Sequence, residues 1–395
     1  MAHQDANNNS SLTWGGVHAN KGTPDATTTA HRRALYLKLF SGELFKGFQR
    51  NTIARDLITK RTLTNGRSLQ FIFTGRTNSE FHVPGRNILG NTDGAPPVAE
   101  VTIECDDLLI SSAFVYELDE TLAHYDLRGE ISRKIGYALA ENYDRRIFRA
   151  VTKAARQASP IQKTGFLEPG GTQIRVGTNA AGTDAYVASS LVNAFYDAAA
   201  ALDEKGVSTE GRVGVLNPRQ YYELIQQVGD NGLVNRDVQG DSLQSGNGII
   251  EIAGIKIYKS MNIPFFGRFG TKYGGSGATG TGVTDPGNTG SFVSEDMGNQ
   301  AESASGAPDG QRTVNDYGEG NKFDNSCGLI FQKEAVGCVE AIGPQVQVTS
   351  GDVSVIYQGD VILGRLAMGA APLNPAAAVE LIAGIAPNTG VAQAF

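Results

Sequence analysis

Few residues of this chain have the type and spacing that chemistry requires. Five histidines, His3, His18, His31, His82 and His124, are scattered over 395 residues. None lies three or four positions from another, so no helical turn aims two imidazoles at one metal ion. His124, just before a long helical stretch, reads as a capping or packing residue. Carboxylates do cluster, at Glu104, Asp106 and Asp107 and again at Glu117, Asp119 and Glu120. Paired carboxylates can move protons or hold a hard cation, so a metal-dependent hydrolase is one reading. The simpler expectation is that they are solvated strand ends, or partners for the basic face of a neighbour. Cys105, Cys327 and Cys338 are odd in number and lack CxxC spacing. They predict neither a disulfide framework nor a zinc site, and they fit a reducing compartment. Cys327 and Cys338 adjoin strand-like segments and read as small buried hydrophobes. Gly275, Gly277 and Gly280 spell GxGxxG, but with no strand before them and no helix after. Dinucleotide binding needs both. With no phosphate loop and no GxSxG elbow, the sequence assigns no catalytic residue, no cofactor and no metal.

Composition points the same way. Hydrophobic residues make up 40% and charged residues 19%, ordinary for a folded protein with a large core. The 49 glycines imply many turns or long loops. A formal net charge of -7 argues against a generic nucleic-acid binder and suits solubility at high concentration. The first residues, MAHQDANNNSSLTWGG, lack the apolar core of a signal peptide. No run approaches the roughly 18 apolar residues of a membrane span.

The elements explain more than the motifs do. Residues 1–62 read as an N-terminal arm. It is polar to about residue 30, then amphipathic, with eight Lys/Arg against four Asp/Glu in residues 1–60. Residues 63–105 read as an extended hairpin. Strands at Arg67–Thr74 and Val98–Glu104 flank a tip broken by Gly and Pro, and another strand follows at Leu108–Tyr116. An isolated two-stranded ribbon is marginal in water, so it needs a surface to lie on, which another copy of the chain could supply. A proline-free helix is predicted from Asp126, its N-cap, to Ser159. Its apolar stripe is Leu127, Ile131, Ile135, Ala138, Leu139, Ile147, Ala150, Val151 and Ala154, and its other face carries the charges. This spine sits in a region spanning 106–184. Residues 185–345 read as an α/β domain, with helices at 187–204 and 219–228 and a strand-turn-strand unit at 248–258. Within it, 266–325 reads as an acidic, Gly-rich surface loop or insertion with little helix or strand. Returning strands at 353–357 and 360–366 and an Ala-rich tail from Ala370 complete 346–395.

That order resembles the major capsid proteins of tailed phages, the HK97-like α+β fold. The resembling text is ALYLKLFSGE at 34–43, GRSLQF at 66–71, GRT at 75–77 and Pro84-Gly85. It continues with His124-Tyr125-Asp126-x-Arg128-x-Glu130, YQGDVILGRLAMG at 357–369, Leu373 and Pro375-Ala376-Ala377. It covers about half the chain and is most similar to the short-tailed, T7-like podovirus branch. The resemblance implies a structural protein and no enzyme, one that self-assembles into hexamers and pentamers of an icosahedral shell around double-stranded DNA. The hairpin would lie across an adjacent subunit, the spine and returning strands would form a peripheral domain, and 185–345 would form an axial domain. Arg76, Pro84, Arg86, Arg128, Glu130, Arg145 and Arg146 would be inter-subunit contact residues. Implied partners are other copies of the chain, a scaffolding protein, a portal at one vertex, packaged DNA without sequence specificity and, in some shells, a cement protein. No membrane is implied. The implied place is the virion capsid, assembled in the bacterial cytoplasm. An encapsulin-like compartment shell of the same fold is the alternative.

Overall fold

In chain order the computed structural model contains α1 (Ala54–Leu57), β1 (Thr59–Thr62), β2 (Ser68–Thr74), β3 (Val98–Glu104) and β4 (Leu109–Tyr116). Next come α2 (Leu127–Arg156), β5 (Gln162–Lys163), β6 (Phe166–Leu167) and β7 (Thr172–Arg175). After them are α3 (Ala188–Glu204), β8 (Arg212–Leu216), α4 (Pro218–Gln226), β9 (Ile250–Ile252) and β10 (Ile255–Lys259). The last are β11 (Ser326–Gln332), β12 (Val336–Val348), β13 (Gly359–Pro372) and β14 (Ala378–Ile382). The structure describes residues 53–75, 81–85, 96–106, 108–117, 127–163, 166–178, 183–226, 250–264, 315, 317, 326–348 and 358–384.

The spine helix α2 has 30 residues, about 45 Å at the α-helical rise. It ends just before Ser159-Pro160, where proline restricts the preceding residue and has no N–H to donate. Asp126, its expected N-cap, lies outside the described residues. Of the predicted stripe, Ile131, Ile135, Leu139, Ile147, Ala150, Val151 and Ala154 are buried. Ala138 is exposed instead: it lies at the margin of the stripe and is too short to reach inward. A larger departure is on the charged face. From Tyr143 to Thr152 every residue is buried, Asp144, Arg145, Arg146 and Arg149 among them. Periodicity alone reads such residues as solvent-facing. Inside, they are tolerated because they are paired and hydrogen-bonded.

The chain divides into two compact units. One holds residues 107–142 and 342–368, together with 1–51, which lie outside the described residues. Here β13 pairs antiparallel with β4, from Gly359↔Tyr116 to Leu366↔Leu109. Alternation puts Leu109, Ala113, Val115 and Ile362 on one face, where they pack with Ile131, Ile135 and Leu139 of α2. Gly364 lies under that helix. A Cβ there would collide with Ile135 and come within 2.8 Å of Leu139 Cδ1, so the close approach requires glycine.

The other unit comprises the described parts of 52–106, 143–341 and 369–395. Its six-stranded sheet runs β7-β14-β11-β8-β10-β9. Pairing is mixed: β8 is parallel to β10 and antiparallel to β11, and β14 is antiparallel to β11 and parallel to β7. The buried face of α3, Leu191, Phe195, Ala198 and Leu202, joins Leu224 of α4 in the core against the sheet. Ala253 and Gly254 turn β9 into β10 with positive φ at both positions (51° and 76°), the two-residue geometry that matches strand twist.

Two expectations change here. The sheet reaches beyond the expected limits of 185–345 at both ends, taking in β7 and β14. The Ala-rich stretch from Ala370 is no loose tail, since Pro375–Ala377 forms a buried 3-10 turn and β14 is buried throughout. A strand covered on both faces shows no alternation, and alanine is a weak strand signal, so the sequence hides it. The strand expected at 353–357 lies outside the described residues, as does the insertion at 266–325 except for Asn315 and Tyr317.

Candidate functional site

The ribbon has two unequal faces. β2 and β3 pair antiparallel from Ser68↔Glu104 to Thr74↔Val98, and Gly75 N donates to Pro97 O at 2.8 Å. Leu69, Phe71, Phe73, Ala99, Val101 and Ile103 share the inner face, with Ile103 fully buried. The Arg61 guanidinium lies 5.8 Å from the centre of the Phe71 ring. The outer face carries Ser68, Gln70, Ile72, Thr74, Val98, Glu100 and Thr102. Ile72 is 76% exposed and Val98 61%, on neighbouring cross-strand pairs. Phe81 and Val83, in the stretch towards the tip, are exposed too, beside exposed Pro84. Apolar side chains on both faces of a two-stranded ribbon leave one set in water until something covers it.

The expected contact residues separate into groups. Arg76 and Arg86 lie outside the described residues. Arg128 bridges to Asp360 at 2.7 Å, tying the start of α2 to β13. Glu130 lies 3.3 Å from Arg133 and 3.6 Å from Lys134, a helical-surface cluster. Arg145 and Arg146, expected at an inter-subunit contact, are only 9% and 5% exposed within the subunit. The Arg146 guanidinium lies 3.8 Å from Asp106 and 5.5 Å from the centre of the Tyr317 ring.

One member of the acidic cluster, Asp106, departs from expectation. Asp106 is buried rather than a solvated strand end. Its Oδ1 accepts from Asn315 N and Nδ2, each at 3.0 Å, and its Oδ2 accepts from Tyr317 OH at 2.6 Å. Burial raises its carboxyl above the usual range, and these hydrogen bonds and Arg146 oppose the rise. Two residues of the presumed surface insertion thus reach an interior carboxylate. The sequence offered no distinguishing signal for them, since Tyr317 is one of six aromatics in that stretch, with Phe266, Phe269, Tyr273, Phe292 and Phe323.

Two further networks escaped sequence reading. Glu380, fully buried on β14, accepts from Arg156 Nε and Nη2 at 2.7 and 2.6 Å, from Gln173 at 2.9 Å, and from Ser326. Glu340 on β12 accepts from Arg55 Nε and Nη2 at 3.2 and 3.0 Å and from Tyr143 OH at 2.8 Å. Asp144 accepts from the N–H groups of Ile53 and Ala54 at 2.9 and 3.2 Å, fixing the entry to α1. Cys105, Cys327 and Cys338 are free and buried; burial raises the Cys327 thiol and pushes Cys338 up to about 12. That is packing, not a reactive nucleophile. Among the described residues no group of His, Cys, Asp and Glu could hold a metal ion.

A long spine helix, a mixed sheet with covering helices and an outlying ribbon with an uncovered apolar face define an HK97-like capsid subunit. A family model described as "Gp10A-like: Major capsid protein" matches residues 71–301, and the chain belongs to that family. Over 356 residues it is 25% identical to the major capsid protein of Escherichia phage T7, covering 88% of this chain and 92% of that one. A 113-residue stretch, 29% of this chain and 32% of the relative, is 31% identical to the major capsid protein of Enterobacteria phage T3. Among solved structures, the capsid of Cyanophage P-SCSP1u matches with a TM-score of 0.66 and 29% identity, over 90% of this chain and 95% of that one. The mature capsid of bacteriophage PhiM1, at 16% identity and a TM-score of 0.56, shows the same fold. The chain is therefore a major capsid protein that forms a phage shell, and the compartment-shell alternative is set aside.

Proposed function

We propose that copies of this chain assemble as hexamers and pentamers of an icosahedral shell around double-stranded DNA, with the β2–β3 ribbon of each copy lying across a neighbour. The observation that carries this reading is the outer face of the ribbon, where Ile72 and Val98 stand exposed beside Phe81 and Val83. Burying two such side chains stabilises a contact by about 1.5–3 kcal/mol each, multiplied over every interface of a shell. The arm at 1–62 and the ribbon at 63–105 are the reaching elements. The spine, β4, β12 and β13 make the peripheral domain, and the six-stranded sheet with α3 and α4 makes the axial one. Arg128, Glu130 and Pro84 are contact residues, as are Arg76 and Arg86; Arg145 and Arg146 act from inside their own subunit. Its role is structural rather than enzymatic. A scaffolding protein, a portal, packaged DNA and a cement protein are the further partners, and assembly takes place in the host cytoplasm.

The test is Ile72→Lys combined with Val98→Lys. Both positions are exposed, so the subunit should fold with an unchanged melting temperature. Electron microscopy should then show a loss of shells. Normal yields of intact shells from the double variant would overturn the ribbon's role.

A further inference from the structure

The turn between β1 and β2 places an amide nitrogen and a carboxamide side by side with nothing to restrain them. Asn65 and Gly66 are both exposed there. Gly66 has a φ of 90°, in the left-handed region that favours glycine, and a Cβ at this position would meet nothing within 4 Å. Among the described residues, neither the Asn65 carboxamide nor the Gly66 N–H takes part in a hydrogen bond. Joining the Gly66 nitrogen to Cγ of Asn65 closes a five-membered ring. A glycine brings no side chain to block that approach and the least restricted backbone to make it.

The other described asparagines lack one reactant or hold it fast. Asn217 and Asn374 precede Pro218 and Pro375, which have no N–H to give up. Asn142 and Asn193 lie inside α2 and α3, where the following N–H is spent on the helix. Asn262 is buried, and its Nδ2 lies 3.4 Å from Asp144 Oδ2. Asn315 donates its Nδ2 to Glu104 O at 2.8 Å and to Asp106 Oδ1 at 3.0 Å. The remaining Asn-Gly steps, at 231–232 and 247–248, lie outside the described residues.

We propose that Asn65 is a site of spontaneous covalent modification, deamidated through a cyclic imide formed with the backbone of Gly66. The Gly66 nitrogen loses its proton and bonds to Cγ of Asn65, the Cγ–Nδ2 bond breaks, and ammonia leaves with that proton. Water then opens the ring. Attack at Cγ breaks its new bond to nitrogen and leaves aspartate. Attack at the main-chain carbonyl breaks the original peptide bond and leaves isoaspartate, with the chain now running through Cγ. Either way the nitrogen regains a proton, and water is the one co-reactant. The isoaspartate product inserts a carbon into the main chain between two fixed points: Leu63 N donates to Glu340 O at 2.9 Å, and Arg67 O accepts from Cys105 N at 2.8 Å. The modification therefore loosens the root of the ribbon at those two hydrogen bonds.

The test is to age the full-length subunit in neutral and in mildly alkaline buffer and to map its peptides by mass spectrometry. The peptide holding Asn65 should exchange amide for acid at least about tenfold faster than those holding Asn142, Asn193, Asn262 or Asn315, because the reacting atoms there are already adjacent and unheld. The rate should rise with pH, since base removes the Gly66 proton, and an isoaspartyl methyltransferase should label the product. Asn65→Gln, at an exposed position, should fold like wild type and stay unlabelled at this turn. Hydrogen exchange at the Leu63 and Cys105 amides should quicken in aged wild type and not in aged Asn65→Gln. Conversion at Asn65 no faster than at Asn262 and Asn315 would overturn the assignment of the site. Full conversion with unchanged exchange at both amides would overturn its effect on the ribbon.

Discussion

Tyr317 donates its hydroxyl to Oδ2 of Asp106 across 2.6 Å, and the same phenolic oxygen accepts the N–H of Ala370 at 2.9 Å. Both side chains are buried, and Arg149 Nη1 reaches Tyr317 O at 3.4 Å. A residue from a Gly-rich insertion therefore joins the segment just after β3 to the end of β13. Burial and the Asp106 charge hold the Tyr317 hydroxyl well above its ordinary pKa, so it acts as a donor throughout the working pH range.

Replacing Tyr317 by Phe should cost about 1–3 kcal/mol, because a buried carboxylate and a buried N–H each lose a partner. Thermal melts of the subunit check this. The same geometry divides the insertion. Deleting 274–310 should leave the melting temperature nearly unchanged, whereas deleting 274–320 removes Asn315 and Tyr317 and should destabilise at least as much as Tyr317→Phe. Equal melts for the two deletions would show that the tyrosine anchors nothing.

The contrast measures how far the sequence could be read. The spine, the ribbon and α3 were legible because amphipathic periodicity survives wherever one face is wet: Ile131, Ile135 and Leu139 mark a helix, and Leu69, Phe71 and Phe73 mark a strand. Periodicity fails where every face is dry. Arg145, Arg146 and Asp144 read as solvated because charge is normally a surface label, and nothing local announces Asp106 or the backbone of α1 as their partners. β14 failed for the same reason, with Ala378, Val379, Leu381 and Ile382 buried on both sides around Glu380. The exposed pair Ile72 and Val98 was in plain view as apolar residues on the wrong face of an alternating strand.

Glu380→Ala should be among the most damaging single changes in the six-stranded sheet. It deprives the Arg156 guanidinium, with only 17% of its side chain exposed, of the carboxylate that accepts its Nε and Nη2. Removing one partner of a buried pair costs about 3–5 kcal/mol. Chemical denaturation reads the loss directly, and Glu380→Gln, which keeps an acceptor, should lose less. A cost below that of an ordinary surface substitution would mean that the pair is dispensable.

Gly364→Ala tests the packing of α2 on β13. The added methyl would collide with Ile135 Cγ2, fixed on its β-carbon, and come within 2.8 Å of Leu139 Cδ1, and both side chains are buried. Overpacking of this kind costs about 1–3 kcal/mol. Ile135→Asp, which places an unpaired charge at a position 5% exposed, should go further and prevent recovery of soluble, assembling protein. Normal assembly by Ile135→Asp would refute the assigned face of the helix.

Glu340 supplies a pH dependence with a definite sign. Burial pushes its carboxyl up, but the hydrogen bonds from Arg55 and Tyr143 and the Arg55 charge outweigh burial, so its pKa is lowered on folding. A group with a depressed folded pKa contributes stability above its unfolded value, about 4.3 for glutamate, and loses it as pH falls towards the folded value. The docking of α1 beside β12 should therefore loosen in acid. In melts from pH 7 down to 3, wild type should exceed Glu340→Gln at neutral pH by a margin that is constant down to about pH 5 and then shrinks. The half-exposed Arg55 keeps that margin modest, since water and salt screen its side of the pair. A margin that stayed level through the carboxylate range would mean that the Glu340 charge contributes nothing, and that Arg55 docks by packing alone.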